Sequence, residues 1–155
     1  QVVFQPLENY QVGSNEIVGG TVSPSYLLPM HGLQRLEKIM DEYVGGISAH
    51  YTTNEPLLTR GLELLDMLKE DLEHLGAEDL HQLMRSWELH HRVLASECVT
   101  HHTNFRKETR WPGYYYRADH PKLDDTDWHC FTLSQYDRES GKWEMETAPV
   151  YHIID

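Results

Sequence analysis

DLHQLMRSWELHHRVLASECVTHHTNF, Asp79 to Phe105, is the stretch that settles the fold class. Leu80, Met84, Trp87, His91, Leu94, Cys98, His101 and Phe105 recur at alternating steps of four and three, the period of one helical face. Leu83, Val93 and Val99 add apolar groups off that stripe, so the spacing predicts a long helix with neighbours on more than one side. Upstream, Leu58, Leu62, Leu65, Leu68, Leu72 and Leu75 line a second helix and Gly76 breaks it. Thr52, Thr53 and Asn54 offer its N-cap oxygens, and Pro56 suits its first turn. Further upstream, Leu33, Leu36, Ile39, Met40 and Tyr43 mark a first helix, stopped by Gly45-Gly46. Three helices with short connections make a three-helix antiparallel bundle over residues 29–110.

Residues 1–28 are punctuated by Pro6, Gly13, Gly19-Gly20 and Pro24 and read as an irregular segment that lies against a neighbour. After the bundle, Trp111-Pro112-Gly113 stops helical character. Residues 111–155 then form an extended segment and a hairpin, with strands at 129–136 and 143–153 around an Asp137–Gly141 turn. The fold class is mainly α: the three-helix antiparallel bundle, an irregular N-terminal segment, and a C-terminal extended segment plus β-hairpin.

With 155 residues the protein is long enough for one ordinary core. Its net charge of -12 counts against nucleic acid as a bulk electrostatic partner. No apolar run approaches the roughly 20 residues of a membrane span. The two cysteines, Cys98 and Cys130, lack CxxC spacing, which leaves neither a disulfide framework nor a cluster or zinc signature. A reducing cytoplasm is the natural compartment, and any iron–sulfur cluster has to come from a partner. The sequence opens on Gln1, which fits a piece of a longer polypeptide.

Eleven histidines invite a metal reading. Glu78-x-x-His81 and Glu88-x-x-His91 match the di-iron pattern, but both lie on one helix, about 15 Å apart and roughly 80° out of phase. Glu97 and His101 supply two ligands, too few for a closed zinc site. His91 and His101 are instead expected semi-buried on the packed stripe, with His90 and His102 facing solvent or a neighbour. Cys98 on an apolar helical face is ordinary packing, and no GxSxG, phosphate loop or dinucleotide fingerprint occurs.

One constellation remains. Arg106, Arg110, Trp111, Tyr114, Tyr115, Tyr116 and Arg117 concentrate cations and aromatics in an otherwise acidic sequence. Tyr, Trp and Arg are typical interface anchors, so this strip is the candidate docking surface. The macrodipole also favours Lys107 and Arg110 near a helix end.

Arg106-x-Glu108-Thr109-Arg110, then Arg117-x-Asp119-x-Pro121-x-x-Asp124-Asp125-x-x-Trp128, resembles the carboxy-terminal pattern of the fumarate reductase and succinate dehydrogenase flavoprotein superfamily. Where that pattern has Ser-Arg-Gly-x-His, this sequence has Thr109-Arg110-Trp111-Pro112-Gly113-Tyr114. Together with Arg35 to Gly46 and Asp79 to Glu88, the departure is similar to the alpha subunits of dissimilatory adenylylsulfate reductase. The resemblance implies the helical C-terminal domain of an FAD-dependent oxidoreductase that interconverts adenosine 5′-phosphosulfate (APS) with sulfite plus AMP. It implies FAD in the full subunit, [4Fe-4S] clusters on a beta-subunit partner, and docking of this domain to its own upstream flavin domain. The family's flavin- and substrate-binding residues lie upstream of the matching region. No catalytic, cofactor-binding or metal residue is therefore assigned here. From the residues alone, a freestanding helical interaction module without catalysis stays open, as does a metal-dependent helical enzyme.

Overall fold

The computed structural model describes residues 27–77, 79–111 and 114–151. The irregular N-terminal segment and Glu78 of the first di-iron-like motif lie outside them, apart from Leu27 and Leu28. Three helices dominate: α1 (Pro29–Tyr43), α2 (Glu55–Leu72) and α3 (Leu80–Phe105). Two short strands, β1 (Thr52–Thr53) and β2 (Tyr116–Arg117), pair in parallel, and β3 (Cys130–Asp137) and β4 (Lys142–Pro149) form an antiparallel hairpin. The fold is mainly α, as the helical periodicities require.

Each helix starts where its local chemistry allows. Pro29 opens α1 four residues before the leucine pattern begins, since its fixed φ suits a first turn. Asn54 caps α2 by accepting the Leu57 amide at 3.0 Å, and Asp79 caps α3 by accepting the Gln82 amide at 2.7 Å. Gly45, at φ 90, takes the left-handed conformation that ends α1.

The described residues divide into two compact units, those of 27–39 with 63–96, and those of 40–62 with 97–151. In the first, Leu36, Ile39, Leu65, Leu68, Leu72, Leu75, Leu89 and Val93 are buried. Gly32 lets α1 approach the Leu89 side chain of α3 closely, and Arg35 pairs with Asp71 at 2.6 Å. Leu27 forms a bridge to Leu75, exchanging backbone hydrogen bonds of 2.9 Å with His74 and Gly76. This core is aliphatic.

In the second unit, the buried side chains among the described residues are largely polar: Thr53, Glu97, Thr100, Glu108, Thr109 and Arg117, beside Val44 and Leu58. Buried polar groups are costly unless paired, so this unit is organised by its hydrogen bonds. Thr53 Oγ1 donates to the Tyr43 carbonyl at 2.7 Å, and β1 is registered so that Thr53 lies opposite Arg117.

The apolar stripe expected on α3 is rotated by one residue, about 100°. Ser86, Leu89, Val93, Glu97 and Thr100 are the buried positions, while Leu80, Met84 and Leu94 are exposed. His91, expected semi-buried, is exposed, whereas His102, expected to face solvent or a neighbour, is half-buried against Thr132 and Ser134. Apolar content set the expected phase, but small hydroxyl side chains can face a neighbour when they bond their own helix. Ser86 Oγ donates to the Gln82 carbonyl at 3.1 Å in this way.

The hairpin turn forms at Asp137–Gly141. The Asp137 carboxylate accepts the Glu139 and Ser140 amides, and Gly141 sits at φ 69. β4 ends at Pro149, four residues short of the expected limit, and residues 152–155 lie outside the described residues.

Candidate docking interface

The end of α3 and the segment after it build a closed charged cluster around Glu108, whose side chain is fully buried. Its Oε1 accepts Arg106 Nη1 and Arg110 Nε, the latter at 2.6 Å. Its Oε2 accepts Arg110 Nη2 at 3.0 Å and the Asp124 amide at 2.9 Å. Burial pushes the Glu108 carboxyl up. The hydrogen bonds from Arg110, Asp124 and Arg106, with the Arg110 charge, outweigh that and leave it below the usual range. Arg110 is held above its ordinary value chiefly by the Glu108 hydrogen bond. Arg110 also reaches Asp125 at 2.9 Å, and Arg106 donates to the carbonyls of Trp128 (2.8 Å) and Cys130 (2.7 Å).

Arg117 closes the other side of the cluster. It is completely buried, and Nη1 donates to the carbonyls of Thr103, Asn104 and Arg106 at the C-terminus of α3. Those carbonyls have no partner within the helix, so the Arg117 guanidinium, reaching in from the following strand, caps the helix end. Its other face makes a bidentate pair with Asp119, at 2.9 and 2.8 Å. That pair, with the Glu55 amide, holds the Asp119 carboxyl far below its ordinary value against the opposing effect of burial. Thr109 stitches the two halves: Oγ1 donates to the His120 carbonyl at 2.9 Å and accepts the Arg117 amide at 3.0 Å.

The expected docking residues therefore separate into two sets. Arg106, Arg110 and Arg117 turn inward and hold the segment; Arg117 forms no surface at all, a correction to the composition-based expectation. Trp111 at 63% exposure, Tyr114 at 79% and Tyr116 at 38% point outward. Tyr115 is half-buried, and burial pushes its phenol up. Tyr116 donates its amide to the Tyr51 carbonyl at 2.7 Å, next to His50 and Tyr51, both in left-handed backbone at φ 53 and 58. That backbone is uncommon for non-glycine residues. The acidic partners Glu108, Asp119 and Asp125 were missed as site residues, although they fall inside the quoted motif at fixed offsets from the arginines.

The arginines that could meet a pyrophosphate are committed to Glu108, Asp119 and Asp125, and Gly45 and Gly141 close turns. Glu55, Asp119 and His120 bring ligand-type atoms within 4.8 Å of one another. Asp119 is engaged there by Arg117 and the Glu55 amide, and Glu55 pairs with Lys107 at 3.6 Å. Of the pair Glu97 and His101, the first is buried and the second stacks on Trp143 with ring centroids 5.7 Å apart. No helix among the described residues is long and apolar enough to cross a membrane.

Fold and cluster together define a mainly helical domain in which Arg106, Arg110 and Arg117 hold the segment after α3 while Trp111, Tyr114 and Tyr116 are exposed. The chain belongs to the family described as fumarate reductase flavoprotein C-term, which matches residues 33–153. It is 40% identical over 153 residues to the adenylylsulfate reductase subunit alpha of Megalodesulfovibrio gigas, covering 99% of this chain and 23% of that protein. Among solved structures, it is similar to an adenosine-5-phosphosulfate reductase in complex with sulfite and to the adenylylsulfate reductase of Archaeoglobus fulgidus. Both matches have 57% identity and a TM-score of 0.83, over 86% of this chain and 21% of theirs. An E. coli quinol fumarate reductase shares the fold alone, at 20% identity and a TM-score of 0.75 over 99% of this chain and 24% of that one. The chain thus spans about a quarter or less of the length of these relatives.

Proposed function

We propose that this chain is the helical C-terminal domain of an adenylylsulfate reductase alpha-type subunit. The complete enzyme interconverts APS with sulfite plus AMP in the cytoplasm. The observation that carries this reading is the 57% identity with a TM-score of 0.83 to adenylylsulfate reductases, against 20% to the fumarate reductase. FAD is held by the upstream part of the polypeptide, and electrons reach it from an iron–sulfur beta subunit. The domain's own contribution is mechanical. The Glu108 cluster fixes the segment after α3 so that Trp111, Tyr114 and Tyr116 are presented to the flavin domain and the partner subunit. Aromatic side chains held by a rigid scaffold make effective interface anchors because little entropy is lost on docking.

The test is to express the complete polypeptide with its iron–sulfur partner, measure bound flavin, and assay APS-dependent formation of sulfite and AMP beside fumarate reduction. Flavin binding with APS turnover supports the reading; a flavoprotein that reduces fumarate and ignores APS overturns it. Replacing Trp111 and Tyr114 together with Ala is expected to weaken flavin retention or partner association. Both remaining intact would remove the docking role while leaving the activity assignment standing.

A further inference from the structure

The hairpin β3–β4 is held to α3 by a polar seam, and one member of that seam is an imidazole. Cys98 and His102 on α3, and Arg106 just beyond its end, are spaced four apart and meet β3 and its entry in reverse order. Cys98 Sγ lies 3.8 Å from Ser134 Oγ. His102 Nε2 lies 2.9 Å from Ser134 Oγ, and its Nδ1 lies 3.1 Å from Thr132 Oγ1. Arg106 donates to the Cys130 and Trp128 carbonyls. Thr132 and Ser134 share one strand face, so a single imidazole spans two successive inward positions of the strand.

We infer that His102 is a proton-sensitive clasp, which fastens the 130–149 hairpin to α3 when neutral and loosens it when protonated. In the neutral ring one nitrogen donates to a hydroxyl and the other accepts from one, so both partners are satisfied. Protonation turns both nitrogens into donors, so the hydroxyl that had been donating must turn to accept and send its own proton elsewhere, while the ring gains a charge. Among the described residues facing the ring, none supplies a counter-charge. β3 offers two hydroxyls, Cys98 offers a thiol, and the charge acting on the ring is the Arg106 guanidinium, one turn away and of the same sign. His101, the neighbouring imidazole, faces Trp143 of β4. Burial and Arg106 both oppose the imidazolium. A folded state that prefers neutral His102 loses stability as pH falls from above the ordinary histidine range through it. The outer face of the same hairpin carries the exposed Phe131 and Leu133, so loosening changes what that apolar face can touch.

Amide hydrogen exchange on the complete polypeptide, between pH 7.5 and 5.5 and corrected for intrinsic rates, tests the clasp. Protection of the 130–137 segment is expected to fall on acidification by at most about tenfold per pH unit, the limit for one proton. The β1–β2 segments provide the internal reference and should not follow it. His102→Gln, which keeps a donor and an acceptor but does not titrate, should abolish the pH dependence whatever its absolute protection. Unchanged wild-type protection across the range, an equal fall at β1–β2, or a pH dependence that survives in His102→Gln would each overturn the inference. If His102→Gln fails to fold, the wild-type comparison of the hairpin with β1–β2 still decides.

Discussion

Arg110 grips Glu108 in a two-point contact along one edge of its guanidinium, Nε to Oε1 at 2.6 Å and Nη2 to Oε2 at 3.0 Å, although the two residues are only two apart in sequence. The carboxylate also holds Arg106 and the Asp124 amide, so one buried anion joins the end of α3 to the segment that leads into the hairpin. Glu108→Gln keeps the shape and removes the charge, leaving the largely buried Arg106 without this anion and Arg110 with only the exposed Asp125. Losing one partner of a buried pair costs about 3–5 kcal/mol. A matching fall in the urea midpoint is expected, and Glu108→Gln combined with Arg110→Gln should cost less than the two separate changes summed. Additive costs would mean that the pair is not coupled.

Thr109 is 6% exposed and uses one hydroxyl both as donor to His120 and as acceptor from the Arg117 amide. Thr109→Val retains the volume but orphans both groups, a loss of about 1–3 kcal/mol. Thr109→Ser keeps the hydroxyl, the residue the wider superfamily pattern has at this place, and should stay within about 1 kcal/mol of the parent. Equal denaturation midpoints for the Val and Ser variants would show the hydroxyl to be dispensable.

Asp119 gives the domain an acid limb. Its carboxyl is depressed in the folded state by the Arg117 pair, outweighing burial, and relaxes to about 3.9 when unfolded. The stabilising contribution is therefore complete above the ordinary carboxylate range and is lost as pH falls through that range toward the folded value. The wild type should lose more stability between pH 7 and pH 3 than Asp119→Asn does, measured as the change in urea midpoint. An equal loss in both would exclude Asp119 as a source of the acid limb.

The helices were legible because leucine spacing carries them. Leu58, Leu65, Leu68 and Leu72 are all buried, as their period demands. The phase of α3 was not legible, since Ser86 and Thr100 bury hydroxyls where an apolar count sees nothing, and Leu80 and Met84 are exposed instead. The docking strip was half legible. Composition located the cations and aromatics but could not say that Arg106, Arg110 and Arg117 face acids two residues away, because direction depends on the turn after α3. The parallel pairing of Thr52–Thr53 with Tyr116–Arg117 left no trace. Two residues are too short for periodicity, and the partners are distant in sequence.

Arg117 provides the sharpest test of that inward direction. Its Nη1 meets three carbonyls at the end of α3 while Nε and Nη2 hold Asp119, and the side chain has no exposed surface. Lysine keeps the charge but offers one ammonium instead of a planar fork, so it cannot serve the carbonyls and the carboxylate at once. Arg117→Lys is expected to leave helix-end carbonyls unsatisfied and to cost about 2–5 kcal/mol, the range for disrupting a buried hydrogen-bonded charge. Hydrogen exchange should locate the damage, with faster exchange in the last turn of α3 and in residues 116–119 and little change in α1. A tolerated lysine, with protection at the α3 end intact, would show that charge alone suffices there and that the guanidinium fork is not what caps the helix.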